Sequence, residues 1–130
     1  MKKLLILLLI LIPISTQATW APLKKVGNPE QDEAIRYAWS ISQDPNWIMT
    51  LERESGFYLK ARNVNYNNSI DSGLCQLNST YHWRFINSPE FQDYRHQLLY
   101  CAEVYSRNKN AFYGHAKRLQ VKDRFVWFNN

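Results

Sequence analysis

The sequence predicts a mainly helical α+β domain carrying one small β-hairpin. Three observations predict it: helical spacing of apolar residues over 30–43, a well-capped segment from Asp44-Pro45 to Gly56, and polar–apolar alternation on both sides of Asn67-Asn68. In chain order, Pro22, Gly27 and Pro29 keep residues 19–29 extended, as a leader into the first helix. Glu30 to Gln43 then carries Ala34, Ile35, Ala38, Trp39 and Ile41 at the spacing of an amphipathic helix. Asp44 supplies an N-cap and Pro45 a first-turn proline for a second helix running to about Ser55, which Gly56 ends in a left-handed cap. Asn63 to Gly73 alternates apolar and polar residues and reads as a short, polar hairpin. Leu74–Leu77, Phe91–Arg107 and Asn110–Leu119 read as helical again, with Pro89 and Lys109-Asn110 as breaks, and Val121–Asn130 contains an apolar Phe-Val-Trp-Phe cluster. There is no internal repeat and no low-complexity tract.

The first 18 of the 130 residues are expected to lie outside the fold. Lys2 and Lys3, the apolar run Leu4–Leu11 and the small residues up to Ala18 form the charged, apolar and cleavage regions of a secretory signal peptide. The run is shorter than the roughly 20 residues a bilayer span needs, so cleavage is expected to leave a periplasmic or secreted monomer, residues 19–130, without a membrane span. Lys2 and Lys3 supply two of the formal +5 charges, so the remaining surface is only mildly basic and has no cationic block, which argues against nucleic acid as a partner. Aromatic residues make up 15% of the chain and several stand beside amides, as in Asn65-Tyr66-Asn67, which suits either a groove that stacks sugars or a wet core.

Cys75 and Cys101 both lie in the exported part, where an even count predicts one disulfide, the alternative being two buried thiols. His82, His96 and His115 lack metal-site spacing, and there is no phosphate-binding glycine loop, so neither a metal nor another cofactor is expected.

Two carboxyl groups carry the chemistry. Trp47, Leu51 and Glu54 fall at i, i+4 and i+7 of the second helix, so Glu54 continues its apolar face while Glu52 and Arg53 are expected to point away. Desolvation and the helix C-terminus both favour the protonated form, which makes Glu54 either a general acid near neutral pH or a helix-end glutamate reaching for water. Asp71 lies among Asn63, Asn65, Asn67, Asn68, Ser69 and Ser72, whose hydrogen bonds would keep it ionised; as an alternative it is an Asx-turn residue. An acid for a leaving oxygen facing an anion for an oxocarbenium-like centre is what glycosidic cleavage needs.

The run Glu54-Ser55-Gly56-Phe57, Ala61, Asn63, Asn65, Ser69, Asp71, Gly73, Gln76-Leu77-Asn78-Ser79 and Tyr81 resembles the signature shared by c-type lysozymes and some lytic transglycosylases. Within bacteria it is most similar to the specialised transglycosylases that accompany secretion and conjugation machines. The resemblance implies a lysozyme-like fold, peptidoglycan glycan strands as substrate and a secretion-system or other envelope protein as a further partner. It implies Glu54 as acid/base and Asp71 as nucleophile or electrostatic stabiliser. It also puts Asn65, Gln76, Asn78 and Tyr81 at the sugar, with a purely structural role for Gln76 and a plain surface tyrosine at Tyr81 as alternatives. The Ala-Tyr-Asn motif usual in the bacterial enzymes is replaced by Ala111-Phe112-Tyr113-Gly114-His115, so Tyr113 is either a substrate contact or a core aromatic. The expected activity is lytic transglycosylase cleavage, with hydrolysis by a lysozyme, or non-catalytic glycan binding on the same scaffold, as alternatives.

Overall fold

A computed structural model describes residues 21–114 and 118–127. The expected signal peptide, residues 1–18, lies outside them. The described chain is mainly helical with two small antiparallel sheets. Strand β1 (Leu23–Lys24) leads into α1 (Pro29–Ser42) and α2 (Pro45–Ser55). Strands β2 (Arg62–Val64), β3 (Ile70–Ser72) and β4 (Leu77–Asn78) follow, then α3 (Ser79–Ile86), α4 (Tyr94–Arg107) and β5 (Phe125–Val126).

Both early helices form where local chemistry asks for them. Asn28 and Gln31 make a reciprocal capping box at the start of α1, and Gln43 ends it in the left-handed region at φ 50°. The Asp44 carboxylate accepts from the Asn46 N–H at 2.9 Å, Pro45 opens α2, and Gly56 closes it at φ 63°, where a side chain would be strained. Trp47, Ile48 and Leu51 of α2 pack with Ile35 and Ala38 of α1 and Leu98 and Cys101 of α4 in one apolar core.

The hairpin is present but is part of a larger sheet. Asn63 pairs with Asp71 across β2 and β3, and Asn68 takes φ 65° in the connecting turn. Leu74–Leu77 is not helical: residues 73–76 form a turn, after which Leu77 and Asn78 pair with Ser72 and Asp71 as a third strand. Long-range contacts impose that turn. Buried Gln97 of α4 accepts from the Leu74 N–H at 2.9 Å, and a disulfide ties Cys75 to Cys101 of α4, with Cα atoms 6.3 Å apart.

Helix α3, which the sequence pattern does not reveal, starts where Asn78 accepts from the Thr80 N–H at 2.9 Å. Its Thr, Tyr, Trp and Phe residues are weak helix formers, and tertiary ring contacts hold it, with Phe85 stacked on Tyr100 at 4.0 Å and edge-on to Phe91 at 5.6 Å. The helix expected from Phe91 begins at Tyr94 instead, because Asp93 caps it and Pro89–Gln92 forms a separate 3-10 turn. Asn110–Leu119 is not one helix either. A 3-10 turn spans Lys109–Ala111, after which extended Phe112 inserts its ring beside Trp47 and Tyr105 at 5.9 and 5.7 Å; residues 115–117 of this stretch lie outside the described residues.

The extended leader contributes β1, which pairs with β5 through Leu23–Val126 and Lys24–Phe125. This ribbon, with the 3-10 segment Arg118–Arg124, covers a face of α2 expected to be outside. Glu52 is consequently 4% exposed and sits 3.1 Å from Lys24 and 3.5 Å from Arg124, so its expected outward position is corrected. Lys24 and Gln31 also donate to the Gly56 carbonyl, each at 2.8 Å, which fixes the end of α2. Among the described residues no helix is long and apolar enough to cross a membrane.

Candidate active site

The last turn of α2, the edge of the three-stranded sheet and the chain after α4 converge on an open cleft. One cavity of about 640 Å³ is lined by Glu54, Asp71, Gln76, Asn78, Tyr81 and Tyr113 among others. A second, of about 460 Å³, shares Glu54, Asp71, Gln76 and Tyr113 with it and adds Arg53, Asn63 and Asn65. The two therefore adjoin at the carboxyl pair, and all seven site residues expected from the sequence line one or both.

Glu54 is half-buried at the end of α2, and its Oε1 accepts a 2.6 Å hydrogen bond from the Gly114 N–H. Burial is the main influence on its carboxyl and lifts its pKa from 4.5 to about 7; the Gly114 bond opposes the rise, Asp71 adds to it and Arg53 opposes it. The group therefore exchanges its proton near neutrality. Gly114 can approach because it has no side chain: a Cβ there would lie 2.5 Å from the Thr50 carbonyl oxygen and 3.2 Å from Glu54 Cγ.

Asp71 on β3 is held differently. The Asn78 side-chain amide donates to Asp71 Oδ1 at 2.8 Å and reaches Ser69 Oγ at 3.0 Å. The expected donors on the hairpin bond mainly to each other: Asn65 donates to Ser69 Oγ at 3.1 Å, and that hydroxyl donates to Asn67 at 2.7 Å. Asn78, expected at the sugar, is thus also the residue that orients the anion. Gln76 takes φ 52° and bonds the Gly73 carbonyl at 3.0 Å, so it shapes the turn while facing the cleft. Tyr81 and Tyr113 are 81% and 63% exposed, which leaves both rings open to a ligand and corrects the core reading of Tyr113.

Sequence reasoning passed over His82, Arg107 and Gly114. His82 lines the larger cavity, bonds the Tyr100 hydroxyl at 2.9 Å and is held below its usual 6.5, first by burial and then by the Arg107 charge. Its signal was adjacency to Tyr81; that of Gly114 was a glycine inside an aromatic run that no turn demands. Among the described residues no cluster of three or more His, Cys, Asp or Glu side chains is arranged to hold a metal ion. The arrangement provides a proton donor or acceptor and a separate carboxylate in an open, aromatic-edged groove. No protein-family model, curated protein or solved structure matches this chain.

Proposed function

We propose that the protein is a lysozyme-like peptidoglycan lytic transglycosylase of the bacterial envelope, cleaving the β-1,4 bond between N-acetylmuramic acid and N-acetylglucosamine. The observation that carries this reading is Glu54, a carboxyl that titrates near pH 7 in a cleft shared with Asp71. Protonated Glu54 gives its proton to the glycosidic oxygen as the C1–O bond breaks. Asp71, oriented by Asn78, stabilises the positive charge that develops at C1. The muramic 6-hydroxyl then attacks C1 and returns its proton to Glu54, closing a 1,6-anhydro ring and regenerating the acid. The resemblance of the segment Glu54–Tyr81 supports this reading, as does the lining of one cleft by the residues that resemblance singles out. Export by a signal peptide and service to a secretion or conjugation machine belong to the same proposal.

Mass analysis of muropeptides released from purified sacculi tests it. Anhydromuramoyl ends, absent with Glu54→Gln, are the expected product. Reducing-end muramic acid alone would make the protein a hydrolase using the same carboxyl pair. Intact sacculi with measurable glycan binding would make it a non-catalytic binder.

A further inference from the structure

The smaller cavity contains a cation that the reaction above does not use. Arg53 lines it together with Tyr113, Asn63 and Asn65, and its guanidinium lies 5.8 Å from the Tyr113 ring centroid. Its Nε is buried and has no hydrogen-bond partner among the described residues. Lys24, Arg107 and Arg124 each have a carboxylate within 4.0 Å, whereas no ion pair joins Arg53 to an acid among the described residues. Of the two acids that flank it in sequence, Glu52 is taken up by Lys24 and Arg124, and Glu54, whose pKa burial raises to about 7, is only about half ionised at neutral pH, so the charge is incompletely compensated. Through its terminal nitrogens a partly desolvated guanidinium, in a cavity edged by side-chain amides and an aromatic face, can receive a planar anion on the side away from Asp71 and Glu54, which line the same cavity.

We propose that Arg53, with Tyr113, Asn63 and Asn65, forms an anion-accepting subsite that binds a carboxylate of the muramoyl unit next to the scissile bond. This rests on the glycan-cleaving reading and adds to it a preference for acidic over neutral sugars. The carboxylate comes either from the lactyl ether of the sugar or from a peptide attached to it. In both cases the guanidinium fork receives two oxygens while the N-acetyl and hydroxyl groups meet Asn63 and Asn65.

Binding, followed by NMR titration in the Glu54→Gln background so that no turnover or Glu54 titration intervenes, tests it. The probes are N-acetylmuramic acid, its neutral methyl ester, and N-acetylmuramoyl-L-alanine. The acid should bind at least about 5-fold more tightly than the ester at low salt and shift the Arg53 Nε–H resonance, with the preference fading at high salt. Arg53→Gln should equalise acid and ester, and Arg53→Lys should keep part of the preference. Whichever anionic probe binds more tightly identifies the source of the carboxylate. Equal affinities for acid and ester, or a preference that survives in Arg53→Gln, overturn the subsite. The acid–ester comparison needs no change at Arg53, so it decides even where Arg53→Gln fails to fold. Discrimination by a protein whose parent leaves sacculi intact would remove the catalytic reading and keep the subsite; cleavage without discrimination would remove the subsite alone.

Discussion

Replacing Gly114 by alanine probes the contact that holds Glu54. The new Cβ would stand 2.5 Å from the Thr50 carbonyl oxygen, against 3.4 Å for ordinary contact, and Thr50 belongs to the interior of α2, which cannot yield. The segment carrying residue 114 must therefore withdraw by about 0.9 Å, stretching the 2.6 Å bond to Glu54 to about 3.5 Å, where an N–H···O bond is lost. That bond favours the ionised carboxylate, so losing it raises the Glu54 pKa further above its value of about 7. A hydrogen bond to a charged group is worth about 1.5–3 kcal/mol, and half-exposure reduces this, so a rise of about one pH unit follows. Cleavage of sacculi measured from pH 5 to 9 should show the alkaline limb, where the acid loses its proton, moving up by that amount. Activity at the optimum should fall as Glu54 loses its orientation, and overpacking should lower stability by about 1–3 kcal/mol. An alkaline limb that stays in place, or moves down, while activity falls would refute the role of the Gly114 N–H.

Further predictions concern the acid, the anion, the bridge and the buried charges. Glu54→Gln should abolish cleavage and leave a folded protein. Because the folded-state pKa is raised, the stability Glu54 contributes is full below the unfolded value of about 4.3 and lost as pH rises through about 7, so in thermal melts the variant should gain relative to wild type between pH 5 and 8. Asn78→Ala, which removes the donor to Asp71, should slow cleavage strongly in the same sacculus assay while Asp71 itself remains. Serine at both Cys75 and Cys101 should cost about 3–4 kcal/mol in urea denaturation on chain-entropy grounds, and thiol labelling of the denatured, unreduced parent should find no free cysteine. Glu52→Ala, which leaves the largely buried Lys24 ammonium without its carboxylate, should destabilise by about 3 kcal/mol, more than Glu103→Ala, whose pair with Arg107 is exposed.

What the sequence disclosed was local. The caps Asp44, Pro45 and Gly56 sit within or beside α2, and Asn67-Asn68 bends the hairpin by its own turn chemistry, so both were legible from a few consecutive residues. Strand β4 was not, because the turn before it is held by Gln97 and Cys101, far along the chain on α4. The burial of Glu52 was hidden for the same reason: nothing near position 52 announces that a strand from the beginning of the chain and a segment from its end will cover it. At the cleft, Glu54 was legible from its helical spacing and Asp71 from its polar neighbours, and the other side chains only through the resemblance of the segment, whereas the Gly114 N–H was not legible, since a backbone donor leaves no mark in the sequence beyond the absence of a Cβ.

The pairing of β1 with β5 bears on when the cleft becomes usable. Leu23 and Val126 lie far apart in the sequence, so β1 stays unpaired until β5, which follows Cys101, has been made. Until Phe125 arrives beside Lys24, the ribbon is open and the lid over Glu52 is incomplete. Lys24 is also one of the two donors on the Gly56 carbonyl, two residues beyond Glu54, so whatever seats Lys24 in the ribbon also steadies the end of α2. The pairing of β1 with β5 and the steadying of the α2 end that carries the proposed acid are thereby linked, and shortening β5 is expected to loosen Glu54 without touching it.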